Sequence, residues 1–198
     1  MFGPGFVGHP ADVNITELKK FSIPQRAKAL EARLQEYFFK QVDVIGSNSP
    51  WAPFPLAVMT CVGIEMIGAF KYGDAFGDKN DHFKKIVEDM DGRLASVRTD
   101  PKGNLNKLSY FVYKGFRNSL AHGFYGKWVF ITHDPGEAKR FRYVASKKIL
   151  VLNVYWFYRR FKVVSHKYLN SLALATNPAK DPLKTFNETF KSNFSLWV

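Results

Sequence analysis

The stretch GFRNSLAHGFYG, residues 115–126, places Arg117, Asn118 and His122 within six positions. At about 100° per residue, Asn118 and His122 stand one above the other on a helix face. Arg117 is turned about 140° away from His122 on the same geometry. Gly123 is a natural terminator, so His122 falls in the last turn of the helix. The negative end of the helix favours the imidazolium form and brings that histidine near neutral pH.

These side chains suit metal-free cleavage of RNA. The 2′-hydroxyl attacks the adjacent phosphorus, a histidine takes or gives the proton, and arginine holds the phosphate and its developing charge. Asn118 can orient the histidine or a phosphate oxygen. One histidine does not serve readily as base and acid in one step, so a two-fold dimer would supply the second. The same residues also fit a plain helix end, with Arg117 bridged to Glu65 and His122 bonded to a last-turn carbonyl.

Other chemistries lack their residues. The chain has no Gly-rich phosphate loop, HExxH, GxSxG or CxxC. Its 17 acidic residues form no cluster with metal-ligand spacing, and its histidines, at 9, 82, 122, 133 and 166, are scattered. A single cysteine, Cys61, excludes an internal disulfide and a Cys-based zinc site and reads as a small core residue. No metal and no cofactor are expected. MFGPGFVGHP lacks the basic and apolar regions of a signal peptide, and reducing cytoplasm is the expected setting.

The elements that must position these residues are mostly helical. SIPQ, residues 22–25, reads as a capping box with Pro24 in the first turn. The helix after it carries Ala27, Leu30, Leu34, Tyr37, Phe38, Val42 and Ile45 and is expected to end at Gly46. Leu56 to Tyr72 is apolar nearly all round and should be the central helix. Its window 56–70 is too short for a membrane span and contains Glu65, which needs a partner if buried. A third helix is expected from Phe83 to Val97, broken by TDPKGN, and a fourth from Leu105 to His122. KWVFITH and KRFRYV flank DPGE and read as a β-hairpin over 127–144. Leu150 to Leu174 reads as a long helix. Phe186, Phe190 and Phe194 suggest a last amphipathic helix in the 176–198 tail, with Trp197 continuing the series on the bundle or across a dimer. Residues 1–13 read as irregular. The expected fold is mainly all-α: one domain, a bundle of about five to six helices with a hairpin inserted before the last long helix.

RNSLAHG resembles the R-x4–6-H signature of the HEPN superfamily, in which a polar residue follows the arginine. CVGIEMIGAF before it and LNVYWFYRRFKVVSHKYLNSL after it resemble the surrounding helices over roughly residues 24 to 174. The resemblance implies an all-α homodimer and, in many members, a metal-independent endoribonuclease used as a toxin, in phage defence or in RNA processing. It implies catalytic roles for Arg117 and His122, a supporting role for Asn118, and Glu65 as the acid that pairs with the arginine. An antitoxin or nucleotidyltransferase partner is implied on the same ground. YRRFKVVSH also fits the spacing with Arg160 and His166, but lacks the polar residue and the terminating glycine, and reads as a surface pair.

The formal charge of +12 biases encounters toward polyanions, with nucleic acid ahead of membrane. Lys127, Lys139, Arg140 and Arg142 on the aromatic hairpin are candidate RNA contacts. The alternative to an endoribonuclease is a non-catalytic module of the same kind that binds RNA, a nucleotide or a partner protein.

Overall fold

The computed structural model describes residues 15–18, 20–48, 53–73, 79–118, 128–132, 140–175, 177 and 182–195. In chain order these form α1 (Ile15–Leu18), α2 (Ile23–Arg33), a π-helical segment (Leu34–Phe39), α3 (Lys40–Asn48), α4 (Pro53–Tyr72) and α5 (Lys79–Met90). A 3-10 turn (Gly92–Ala95) leads to β1 (Val97–Thr99) and β2 (Leu105–Lys107). Then come α6 (Leu108–Phe111), a second π-helical segment (Val112–Arg117), β3 (Val129–Thr132), β4 (Phe141–Val144), β5 (Ile149–Asn153), α7 (Val154–Leu174) and α8 (Leu183–Ser195). The protein is mainly helical.

Helix α2 starts where Gln25 Oε1 accepts the Ser22 backbone N–H at 2.9 Å. It continues through its π segment and past Gly46 to Asn48, because nothing at Gly46 breaks the winding. Helix α4 ends before Gly73, whose φ of 83° is the left-handed conformation that closes a helix. At 20 residues α4 is long and apolar enough to cross a membrane by length and composition, longer than the 56–70 window suggests. In this fold it is the core helix: α3, α5, α7 and α8 all pack on it, and Leu56, Ala57, Ile64 and Ile67 are fully buried. Helix α7 supplies Phe157 and Phe161 to the same core. Tyr158 donates to Asp43 at 2.8 Å, and Lys162 bonds the other oxygen of that carboxylate at 2.7 Å, tying α7 to α3. Helix α8 buries Phe186 and Phe190, with the Phe186 ring 5.5 Å from that of Phe70 on α4. Phe186 and Phe190 thus pack within the chain; Trp197 lies outside the described residues.

Four further expectations are corrected. The third helix stops at Met90, where Asp91 accepts the Arg93 backbone N–H and opens a tighter turn. Val97 therefore lies in a strand, paired with Lys107 in an antiparallel β1–β2 ribbon. The fourth helix begins at Leu108, since 105–107 are that ribbon's second strand. The hairpin of 127–144 also pairs differently. Strands β3 and β4 are the two edges of a three-stranded sheet with β5 between them. β3 runs parallel to β5, and β4 antiparallel. The close turn is residues 145–148, with Lys148 at φ 53°, while DPGE lies outside the described residues. The long helix accordingly starts at Val154, where Asn153 Oδ1 accepts the Trp156 backbone N–H at 3.0 Å. Hydrogen bonding on both edges holds ILVLN extended, although its apolar run leads straight into helical periodicity.

Candidate functional site

The site begins with a close crossing of α4 and α5. A Cβ at Gly68 would stand 2.7 Å from His82 Cδ2 and 3.2 Å from the His82 carbonyl oxygen. Glycine is what lets α5 lie this near. His82, which is buried, then reaches Glu65 one turn up α4, with Nε2 3.0 Å from Oε2. The other carboxylate oxygen, Oε1, accepts from Arg117 Nε at 2.7 Å. Arg117 Nη1 donates to Asn118 Oδ1 at 3.2 Å. The guanidinium carbon also lies 5.8 Å from the Tyr113 ring, and Tyr113 meets the buried Phe83 edge to face. Two successive residues of α5 thus support Arg117 by separate routes, His82 through Glu65 and Phe83 through Tyr113.

The arrangement is only partly shielded: the Arg117 and Glu65 side chains are 35% and 26% exposed. Water therefore reaches the pair, and so would a ligand. Burial by itself pushes the Glu65 carboxyl up, but the His82 hydrogen bond and the Arg117 charge outweigh it, and the net shift is downward. Cys61 lies one turn earlier on α4. Burial first, and the Glu65 charge second, push its thiol up against the opposing pull of Arg117. It is a neutral core side chain rather than a nucleophile.

The helix that carries Arg117 is π-wound. The Asn118 backbone N–H reaches the Tyr113 carbonyl, five residues back. The angles expected from ideal α-helical winding therefore do not apply at Arg117. Just before it, a Cβ at Gly115 would stand 2.7 Å from Trp128 Cβ, so the segment is seated directly against the entrance of β3.

The structure brings Arg117, Asn118 and Glu65 together. His122, Lys127 and Lys139 lie outside the described residues. Arg142 sits on β4 and Arg140 just before it, where the Arg140 guanidinium is 3.9 Å from Asp91. Arg160 and His166 do not form a second site: Arg160 donates to the Met90 carbonyl and His166 bonds Glu31. His82 is the residue that sequence reasoning missed. It is four positions before buried Ile86, which places it on the inward face of α5. Among the described residues, no group of three His, Cys, Asp or Glu side chains could hold a metal.

The arrangement can hold an anion at a fixed guanidinium, two of whose five N–H donors are accounted for by Glu65 and Asn118. No family model matches the chain, and no curated protein or solved structure matches it, so the chemistry of the site rests on its own geometry.

Proposed function

We propose that this protein is a HEPN-like, metal-independent endoribonuclease acting in the cytoplasm as a homodimer, in the manner of a toxin or phage-defence effector. The observation that carries the reading is the clamp on Arg117. Glu65 fixes its Nε side at 2.7 Å, which orients the rest of the guanidinium toward a phosphate. Glu65 is the acid that the family resemblance pairs with the motif arginine. Asn118 supports the arginine. His122 moves the proton. The 2′-hydroxyl oxygen bonds to phosphorus, the bond to the 5′-oxygen breaks, and that oxygen takes a proton. The products are a 2′,3′-cyclic phosphate and a 5′-hydroxyl. Two copies supply the acid and the base. An antitoxin or nucleotidyltransferase partner belongs to the same reading.

The test is cleavage of a labelled single-stranded RNA by the purified chain in EDTA, with His122→Ala and Arg117→Ala beside it. Wild type should leave cyclic or 3′-phosphate ends, and each variant should lose about 100-fold or more. Cleavage by His122→Ala at the wild-type rate overturns the assignment.

One feature favours a second reading, a binding module without catalysis. The Glu65 carboxylate offsets much of the Arg117 charge, which a phosphate would otherwise feel in full. That module would hold RNA with equal affinity in wild type and His122→Ala and cut it with neither.

A further inference from the structure

The pairing of β3, β5 and β4 sorts their side chains onto two faces. Val129, Leu150 and Tyr143 form one cross-strand row, and Ile131, Leu152 and Phe141 another. Both rows face the bundle. Leu150 and Leu152 are fully buried, Tyr143 packs edge to face on Phe111, and Phe141 lies against Trp156. The row between them, Phe130, Val151 and Arg142, must then face outward. Its exposure agrees: Phe130 is 56% exposed, Arg142 is exposed, and Val151 is half-buried between them.

An exposed phenyl ring and a guanidinium on one row, with a flat aliphatic residue between, is a platform with defined dimensions. Two inter-strand steps separate Phe130 from Arg142, about 10 Å. Exposed Lys147 and Lys148 lie at the β4–β5 turn, and Arg140, 58% exposed, precedes β4. The surroundings of the ring are therefore cationic on a chain of net charge +12. A partner protein would meet one aromatic ring in a cationic field. A single-stranded nucleic acid would meet a stacking surface and phosphate contacts at suitable separation.

We infer that the outward row Phe130–Val151–Arg142 is a docking platform for single-stranded RNA, a base stacking on Phe130 and a neighbouring phosphate meeting Arg142. The choice of RNA rests on the endoribonuclease reading; the platform geometry does not. The platform is also fixed to the candidate site. Trp128 lies against Gly115, with an ideal Gly115 Cβ 3.3 Å from Trp128 Cα. Two strand residues lead from there to Phe130 and two helix residues to Arg117, so the Cα atoms of the two are within about 18 Å. A strand of a few nucleotides spans that distance.

The test measures fluorescence anisotropy of a labelled single-stranded RNA on the full chain carrying His122→Ala, so that the probe survives. Phe130→Ala and Arg142→Ala are compared with Lys28→Ala, an equal loss of charge on α2. Phe130→Ala should weaken binding about 5- to 150-fold at unchanged salt dependence. Arg142→Ala should weaken it and lower the slope of log affinity against log salt by about 0.7. Lys28→Ala should change little. Both platform residues are exposed, so unchanged circular dichroism is expected for both variants. Wild-type affinity in Phe130→Ala, or an equal loss in Lys28→Ala, overturns the platform. So does a change of oligomeric state in Phe130→Ala with RNA affinity intact, which would assign the face to a second copy. The two proposals fail separately. Platform-dependent binding without cleavage by the unmutated chain sinks only the nuclease. Cleavage with unchanged KM in a Phe130→Ala chain that retains His122 sinks only the platform.

Discussion

Arg117 Nε lies 2.7 Å from Glu65 Oε1, although 52 positions of chain separate the two residues. The pair links α4 to the end of the second π segment, and the second carboxylate oxygen carries the link on to α5 through His82. Glu65→Gln should weaken both contacts and destabilise the fold by about 1.5–3 kcal/mol, the range for hydrogen bonds to charged groups. Urea unfolding measures it. In a double-mutant cycle with Arg117→Met, the two losses should fail to add by about 0.5–3 kcal/mol; simple additivity would mean that the contact contributes nothing.

The same contacts set a pH dependence. The Glu65 carboxyl is held below its ordinary value in the folded chain. A depressed carboxyl adds stability above its unfolded value, about 4.3, and that stability is lost as pH falls through the folded value. Between pH 6 and pH 3 the wild-type urea midpoint should therefore fall more steeply than that of Glu65→Gln. Parallel curves would show that Glu65 gains nothing from its partners.

The glycines of α4 make a graded steric prediction. A Cβ at Gly63 would meet Phe161 Cε1 at 2.5 Å and Phe38 Cζ at 2.9 Å, and one at Gly68 would meet His82 at 2.7 Å. Overpacking of this kind costs about 1–3 kcal/mol. At Gly92 nothing lies within 4 Å of the added carbon. Thermal melts should place Gly63→Ala and Gly68→Ala well below wild type and Gly92→Ala close to it. If the chain is the endoribonuclease proposed above, the Gly68 variant should also reduce RNA cleavage, since it displaces His82 from Glu65.

Asp100 organises the β1–β2 turn. One carboxylate oxygen accepts the Lys102 and Asn104 backbone N–H groups at 2.8 and 2.9 Å, and the other accepts the Asn104 and Asn106 side-chain amides. Burial pushes its carboxyl up, but these bonds prevail and hold it below the ordinary range. Asp100→Ala removes all four acceptor contacts at a buried position and should cost about 1–3 kcal/mol. Backbone amide exchange at Lys102 and Asn104 should rise with it; unchanged protection would count against this role.

Much of the helical framework is legible in the residues. The capping box at Ser22, the apolar girth of α4 and the inward residues of α5 and α7 each follow from local pattern. Glu65 announces a partner because a bare carboxylate is costly in an apolar helix. The strands are less legible. ILVLN is apolar without alternation, as a strand bonded on both edges is, and it flows into the pattern of α7; only Asn153 marks the join. The parallel pairing of β3 depends on a partner about twenty residues onward, which no local signal carries. His82 is hidden for a related reason: its role comes from a crossing at Gly68 on another helix.

The π winding over Val112–Arg117 makes the aim of Arg117 a matter of residue count rather than of residue type. A π segment holds one more residue than the α-helix it interrupts. Winding the same residues as an ordinary α-helix, or adding one position that the wide turn does not absorb, would swing the guanidinium about 100° around the helix axis. Every side chain of the site would keep its identity, and the arginine would no longer point at Glu65. Variation in the length of this helix is thus a route to losing or re-aiming the site that comparison of side chains alone would not reveal.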